Sequence, residues 1–326
     1  MSDTVLSVRD LSVRYRTREG PVYATERISF ELKAGEVLAL VGESGCGKST
    51  AAMSVLRLLP PEAEVLSGQV AFDSRDLLAL EDRELRTIRG RRISTIFQDP
   101  IAGLNPVITI GDQVAESLMS HLPLSKKEAR IRSVNVLRGV GLSDPERVAK
   151  AYPFQLSGGM CQRVMIGIAT ALDPEVIIAD EPTSALDVTV QAQILHQLDQ
   201  LRRDRGTSIL LITHNFGVVA QVADNVAVMY AGHIIESGTV DEMLGTPLHP
   251  YTHALLATLP RLDNAGRSLS AISGAPPDLS EPAAHCPFIA RCPKVMNVCR
   301  AEPPPPLSLI AHAAHPVACY NPIWQS

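Results

Sequence analysis

The stretch Gly42-Glu43-Ser44-Gly45-Cys46-Gly47-Lys48-Ser49-Thr50 fits G-x-x-x-x-G-K-[ST], a spacing suited to holding phosphate. Val37-Leu38-Ala39-Leu40-Val41 before it has the length of a strand, and Ala51 to Leu59 after it reads as a helix. A strand feeding a helix through a glycine-rich turn is the context this motif needs; a chance lysine in a glycine-rich turn would lack it. The glycines let the backbone approach a phosphate, and inward N–H groups form an anion nest. The helix start after Gly47 adds its positive dipole end. Lys48 supplies charge to the β- and γ-phosphates, and Ser49 offers a hydroxyl to Mg²⁺.

Other polar residues stand at the ends of apolar runs, where ligands bind in open α/β sheets. Ile93-Ser94-Thr95-Ile96-Phe97 ends at Gln98, whose amide can reach Mg²⁺ or an attacking water; alone it would be a loop residue. Val176-Ile177-Ile178-Ala179 ends at Asp180 and Glu181. Asp180 is placed to hold Mg²⁺ and Glu181 to orient or deprotonate water. Ser208 to Thr213 ends at His214, which could contact a γ-phosphate. Ser157-Gly158-Gly159 opens a helix, Cys161 to Leu172, and makes a second anion-binding helix end; its bland alternative is a plain cap. Tyr15, at the end of a strand, is the candidate to stack on adenine, with Tyr23 as the alternate and an ordinary strand aromatic as the bland reading.

The elements that must position these residues follow from periodicity. Val5 to Arg16 and Tyr23 to Leu32 read as strands joined by a turn at Thr17 to Pro21, and Leu66 to Phe72 as another. Asp82 to Arg92 is a polar helix or loop. Ile110 to Leu118 and Lys126 to Val140 have helical spacing and interrupt the strand pattern, so residues of about 99–170 read as a helical insertion. Pro182 to Asp187 is a turn, Val188 to Arg203 an amphipathic helix, and Ala231-Gly232 joins Val226–Tyr230 to His233–Glu236 as a hairpin. Prolines from Pro247 to Pro306 exclude long regular elements beyond one helix, Tyr251 to Thr258. The expected layout is a cassette over 1–245 and a small loop-rich module over 246–326.

Composition limits the classes. The chain has 326 residues, 45% of them hydrophobic, enough for a large core and an appendage. Thirty Lys+Arg against 35 Asp+Glu argue against a dedicated nucleic-acid binder. Ser2-Asp3-Thr4 lacks a leader pattern, and no apolar run approaches the length of a bilayer span, so a place in the cytosol or on the cytosolic face of a membrane is expected. Of six cysteines, Cys286, Cys292, Cys299 and Cys319 crowd the tail, which in a cytosolic chain suggests metal more than disulfides. Their spacing matches no common zinc or ferredoxin pattern and leaves free thiols, zinc and iron–sulfur open. His285, His312 and His315 would be substitute zinc ligands.

Taken in order, these motifs resemble the ATP-binding subunit of an ABC transporter, over about Leu6 to Asn321. Gly42 to Thr50 is similar to Walker A, Gln98 to the Q-loop, Leu156-Ser157-Gly158-Gly159-Met160 to the signature, Asp180 to Walker B, Glu181 to the catalytic glutamate, Ser184 to Asp187 to the D-loop and His214 to the H-loop. Phe97-Gln98-Asp99-Pro100, Leu104-Asn105-Pro106, His249 to Leu256 and the cysteine-bearing tail resemble the dipeptide/oligopeptide/nickel importers. Cys161 stands where that family usually has Arg, and His285 where it has Gly.

The resemblance implies an α/β P-loop NTPase fold with a mixed-sheet core, an antiparallel β subdomain and a helical subdomain. It implies ATP and Mg²⁺ as cofactors, with Ser49, Gln98 and Asp180 toward the metal. It implies two membrane permeases, a second homologous ATPase forming a heterodimer, an extracytoplasmic binding protein, no nucleic acid, and a peripheral place on the cytoplasmic face of the inner membrane. By the same resemblance the tail cysteines are expected to hold a [4Fe-4S] cluster, with Zn²⁺ as the alternative. Rival readings are a nickel importer, an exporter, a soluble repair or translation ATPase, and an iron–sulfur electron carrier. The absence of sustained heptads between Gln98 and Tyr152 and the single phosphate loop disfavour the soluble ATPases.

Overall fold

The computed structural model describes residues 4–184, 186–258, 272–308 and 315–324. The chain divides into two compact units, one of Met1–Ala79 with Ile212–Ser326 and one of Leu80–Leu211. In the first unit, β1 (Thr4–Thr17) pairs antiparallel with β2 (Gly20–Lys33). On its other side β1 pairs with β4 (Ala63–Phe72), which carries the short β5 (Arg75–Asp76). Along β2, Ile28, Phe30 and Leu32 are buried while Ser29, Glu31 and Lys33 face out, the period of two that a half-buried strand requires. In β1 the buried apolar residues are Leu6, Val8, Leu11 and Val13. The odd step from 8 to 11 would turn the second pair outward. A register shift between Val8 and Leu11, with Asp10 at φ 47°, returns it to the core.

The same unit holds β3 (Val37–Val41), buried along its whole length. It runs parallel to β9 (Asn225–Tyr230), which pairs antiparallel with β10 (His233–Thr239), so the pairing is mixed. Helices α1 (Lys48–Val55), α8 (Phe216–Val222), α9 (Val240–Gly245), α10 (Pro250–Ala257) and α11 (Asn297–Ala301) complete it. The second unit holds α2 (Asp82–Ile88), β6 (Ile93–Ile96), α3 (Ile110–Met119), α4 (Lys126–Gly139), α5 (Pro145–Lys150), α6 (Gly158–Thr170), β7 (Val176–Asp180) and α7 (Val188–Arg205). Here β6 and β7 are parallel, and β8 (Ser208–Thr213) begins beside β7. Helix α4 starts on a reciprocal cap, Ser125 with Glu128. Among the described residues no helix is long and apolar enough to cross a membrane.

Several elements differ from the sequence reading. Helix α1 begins at Lys48 rather than Ala51, and ends at Val55. The turn between β1 and β2 shrinks to Arg18 and Glu19 because both strands run longer than their apolar alternation. Short helices α5, α8, α9 and α11 carry too few residues to show a period. Yet α5 is announced by Asp144 as its cap and Pro145 at its first position.

Within the first unit the tail is fastened to β10 through a buried carboxylate. Glu236 on β10 is 0% exposed. It accepts the N–H groups of Leu248 (2.5 Å) and His249 (3.0 Å) and faces His315 Nε2 at 2.7 Å. His249 in turn caps α10, its Nδ1 accepting the Tyr251 N–H at 3.0 Å. That bond needs a neutral ring. Burial pulls the proton affinity of His249 down to about 4 from an ordinary 6.5, against an opposing pull from Glu236. As pH falls through 6.5 the unfolded chain takes up this proton first, so stability present at neutral pH is lost toward pH 4. The expected loss is about 2 kcal/mol by pH 5 from this group. Thermal unfolding of the protein and of His249→Asn between pH 7.5 and 5 measures it; the variant, which keeps a capping side chain, has the shallower pH dependence.

Candidate nucleotide site

The phosphate loop leaves β3 at Val41 and enters α1 at Lys48. It lies so close to neighbouring backbone that side chains are excluded at two points. A Cβ on Gly42 would sit 2.2 Å from the Met229 carbonyl oxygen. One on Gly47, which adopts φ 105°, would sit 2.2 Å from that of Ala24. Helix α1 has no side-chain cap and no acidic residue in its first turn, so no carboxylate competes with phosphate there. Lys48 is 6% exposed, and its Nζ donates to the carbonyls of Gly42 (2.8 Å) and Glu43 (2.9 Å). Cys46 Sγ lies 3.7 Å from the same ammonium, and burial raises the thiol's pKa. Ser44, Gly45 and Ser49 are exposed. Tyr15 Oη is 3.1 Å from Thr50 Oγ1, which puts the candidate adenine platform beside the loop. His214, just past β8, is exposed in this unit.

The second unit brings Gln98 and Glu181 together. Gln98 Nε2 donates to Glu181 Oε2 at 3.2 Å. Asp180, 3% exposed, closes β7, and Glu181 follows it at φ 45°, a left-handed conformation that a residue with a side chain rarely adopts. Ser157 caps α6, its Oγ accepting the Met160 N–H at 3.3 Å, with Ser157 and Gly158 exposed at the helix start and Gly159 partly so. Asp187 caps α7, accepting the Val190 N–H at 2.9 Å. Cys161 is fully buried and its thiol reaches the Pro153 carbonyl at 3.6 Å, a packing role.

Four residues around the loop escape sequence reading: Glu43, a free position in the motif, and Tyr230, Tyr251 and Arg291. Tyr251 and Arg291 stand in stretches that mark the family branch, but nothing in their spacing ties them to the loop.

The expected [4Fe-4S] cluster is corrected by the structure, and with it the zinc alternative. Among the described residues no group of three or more His, Cys, Asp or Glu is arranged to hold a metal ion. Cys286, Cys292, Cys299 and Cys319 line one cavity of about 20 Å³, room for about one water. Burial raises the thiol pKa of Cys286 and Cys292 and pushes that of Cys319 up to about 12. Of the substitute ligands, His315 is committed to Glu236, and His312 lies outside the described residues.

A loop of this geometry beside a mixed sheet, a Gln–Glu pair at two strand ends and a Ser-Gly-Gly helix start define an ATP-binding cassette. The ABC transporter family matches residues 25–184, and the oligopeptide/dipeptide transporter C-terminal region matches 235–299. The chain is 50% identical over 319 residues to the dipeptide transport ATP-binding protein DppD of Bacillus subtilis, covering 98% of this chain and 95% of that one. It is 45% identical over 303 residues to the oligopeptide transport ATP-binding protein OppD of Salmonella typhimurium, covering 93% and 90%. A solved dimer of the ATP-binding cassette MJ0796 in a post-hydrolysis state with ADP and Pi is similar with a TM-score of 0.65 and 29% identity, over 72% of this chain and 98% of that one. The chain belongs to the ABC transporter family, in the branch that carries the oligopeptide/dipeptide C-terminal region. It is an ABC-type ATPase and binds ATP.

The contact at Gly47 sets a test. Gly47→Ala drives a methyl into the Ala24 carbonyl and is expected to weaken ATP binding by at least about tenfold, ~1.4 kcal/mol. Equilibrium titration with a fluorescent ATP analogue reads the change; wild-type affinity would contradict the geometry.

Proposed function

We propose that this chain is the energy-coupling subunit of an importer of di- or oligopeptides. The observation that carries this reading is the similarity along nearly the whole chain to dipeptide and oligopeptide transport ATP-binding proteins, tail included. Those names favour peptides over nickel. Residues 1–245 act as the cassette and 246–326 as an appended module. Two permeases form the membrane path, an extracytoplasmic binding protein delivers the solute, and the chain sits on the cytoplasmic face of the inner membrane.

The loop Gly42 to Thr50 cradles the phosphates and Tyr15 stacks on the adenine. Lys48 holds the β- and γ-phosphates. Ser49, Asp180 and Gln98 would hold Mg²⁺, which would supply charge neutralisation at the phosphates. Glu181 accepts a proton from the attacking water, and Gln98, hydrogen-bonded to it, ties that carboxylate to the helical insertion. His214 contacts the γ-phosphate. Ser157, Gly158 and Gly159 face the ATP of a second, homologous ATPase subunit, and Asp187 lies at the same boundary; the dimeric state of the solved relative supports the pairing of two such subunits. ATP bridges the pair and hydrolysis releases it.

Glu181→Gln is expected to bind ATP with near-normal affinity and to lose at least about a hundredfold in turnover, consistent with loss of general-base catalysis. Lys48→Ala is expected to weaken binding or turnover. Tagged Glu181→Gln protein, solubilised from its own host's membranes with ATP and Mg²⁺, should co-purify with two integral membrane proteins and a second ATPase, read by mass spectrometry. Ribosomal or repair proteins with no membrane partner would overturn the transport reading.

A further inference from the structure

Arg291 lies in the tail, far along the chain from the phosphate loop, yet its side chain is only 3% exposed. Every N–H of its guanidinium has an acceptor. It grips Glu43 with a fork, Nη1 to Oε2 at 2.7 Å and Nη2 to Oε1 at 2.9 Å. Nη1 also donates to Tyr230 Oη (3.2 Å), Nη2 to the Ile272 carbonyl (3.2 Å) and Nε to the Ser273 carbonyl (3.0 Å). The rings of Tyr230 and Phe288 flank it, with centroids at 5.8 and 5.9 Å. The Glu43 carboxylate in turn raises the pKa of Arg291, so the guanidinium stays charged.

Glu43 is itself engaged at all of its polar groups. Its carboxylate holds Arg291. Its N–H donates to Tyr251 Oη at 2.9 Å, and its carbonyl accepts from Lys48 Nζ at 2.9 Å. Tyr251 is fully buried, its ring 4.5 Å from that of Tyr230 and 5.4 Å from that of Phe288. Both groups that fix Glu43 therefore come from beyond the cassette, and the carbonyl they place is one that seats the ammonium of Lys48. If the tail served only as an attached module, a cation as buried as Arg291 would have no reason to be spent on the second residue of the phosphate loop.

We infer that Arg291 and Tyr251 are positioning residues of the nucleotide site, fixing Glu43 and through it Lys48, so that the C-terminal module sets the affinity for ATP. The inference rests on Lys48 being a phosphate ligand. A lysine at 291 would bring one compact charge in place of a planar fork and, with three donors, would leave at least two of these five acceptors unmet.

The test uses the full-length chain, with equilibrium binding of a fluorescent ATP analogue, steady-state ATPase and thermal unfolding. Arg291→Lys and Glu43→Gln are each expected to weaken ATP binding about tenfold and to raise KM by a similar factor while kcat stays within about twofold. The double variant is expected to be no weaker than either single, because both remove one interaction. Tyr251→Phe removes a single oxygen, keeps the fold if Arg291→Lys does not, and is expected to weaken binding about threefold. Lys294→Met is the control: its ammonium donates to the Pro322 carbonyl at 2.7 Å within the tail, so it lowers the unfolding temperature and leaves ATP affinity unchanged. Wild-type ATP affinity in Arg291→Lys, Glu43→Gln and Tyr251→Phe, with only the unfolding temperature lowered, overturns the inference. Lys48→Ala run in parallel separates the two readings. If it too binds ATP normally, the phosphate-loop reading falls; if it alone loses binding, only the role of the tail falls.

Discussion

A loop that offers its N–H groups to phosphate must be held from behind, because its inner face is committed to the ligand. Here the hold is backbone against backbone. Gly42 and Gly47 press on the carbonyls of Met229 and Ala24 with no room for a methyl group, and the Gly232 N–H donates to the Cys46 carbonyl at 3.0 Å. The strands that supply these contacts, β2 and β9 with its hairpin, are fixed by ordinary apolar burial, of alternate residues over Ile28 to Leu32 in β2 and of Val226 to Tyr230 in β9. Core packing thus sets the loop's position, and the chemistry of Lys48 follows from it.

The other end of the chemistry stores strain. Glu181 holds a left-handed backbone directly after a fully buried strand, a conformation that costs of order 1–3 kcal/mol. Its carboxylate is met by the amide of Gln98, which stands at the end of β6 where the chain turns toward the helical segment. Either partner's displacement is felt directly by the other.

Much of the site was readable from residue order. The phosphate loop, Gln98, Asp180 and Glu181 each follow a short apolar run, and apolar runs of strand length survive any change in how the strands pair. The start of α1 at Lys48 was not readable, because glycine-rich sequence carries no helical period. The bulge at Asp10 was hidden for the opposite reason: the apolar steps 6, 8, 11, 13 look like a broken strand until the register shift restores them. Arg291 and Tyr251 were invisible as site residues, since a charged fork in a proline-rich tail has no local signature of its distant partner. The cysteines misled. Their clustering is real, as one cavity collects them, but among the described residues no group of three or more His, Cys, Asp or Glu is arranged to hold a metal ion.

The bond between Arg291 and Glu43 joins residues 248 positions apart. Such separation is costly to close and late to form. On a ribosome, chains emerge from the N-terminus and domains fold as they appear. The phosphate loop is made first, and its guanidinium partner follows 248 residues later. Until then the Glu43 carboxylate of the nascent chain is without Arg291. The surroundings of Glu43 reach their final form only after the tail that carries Arg291 has been made.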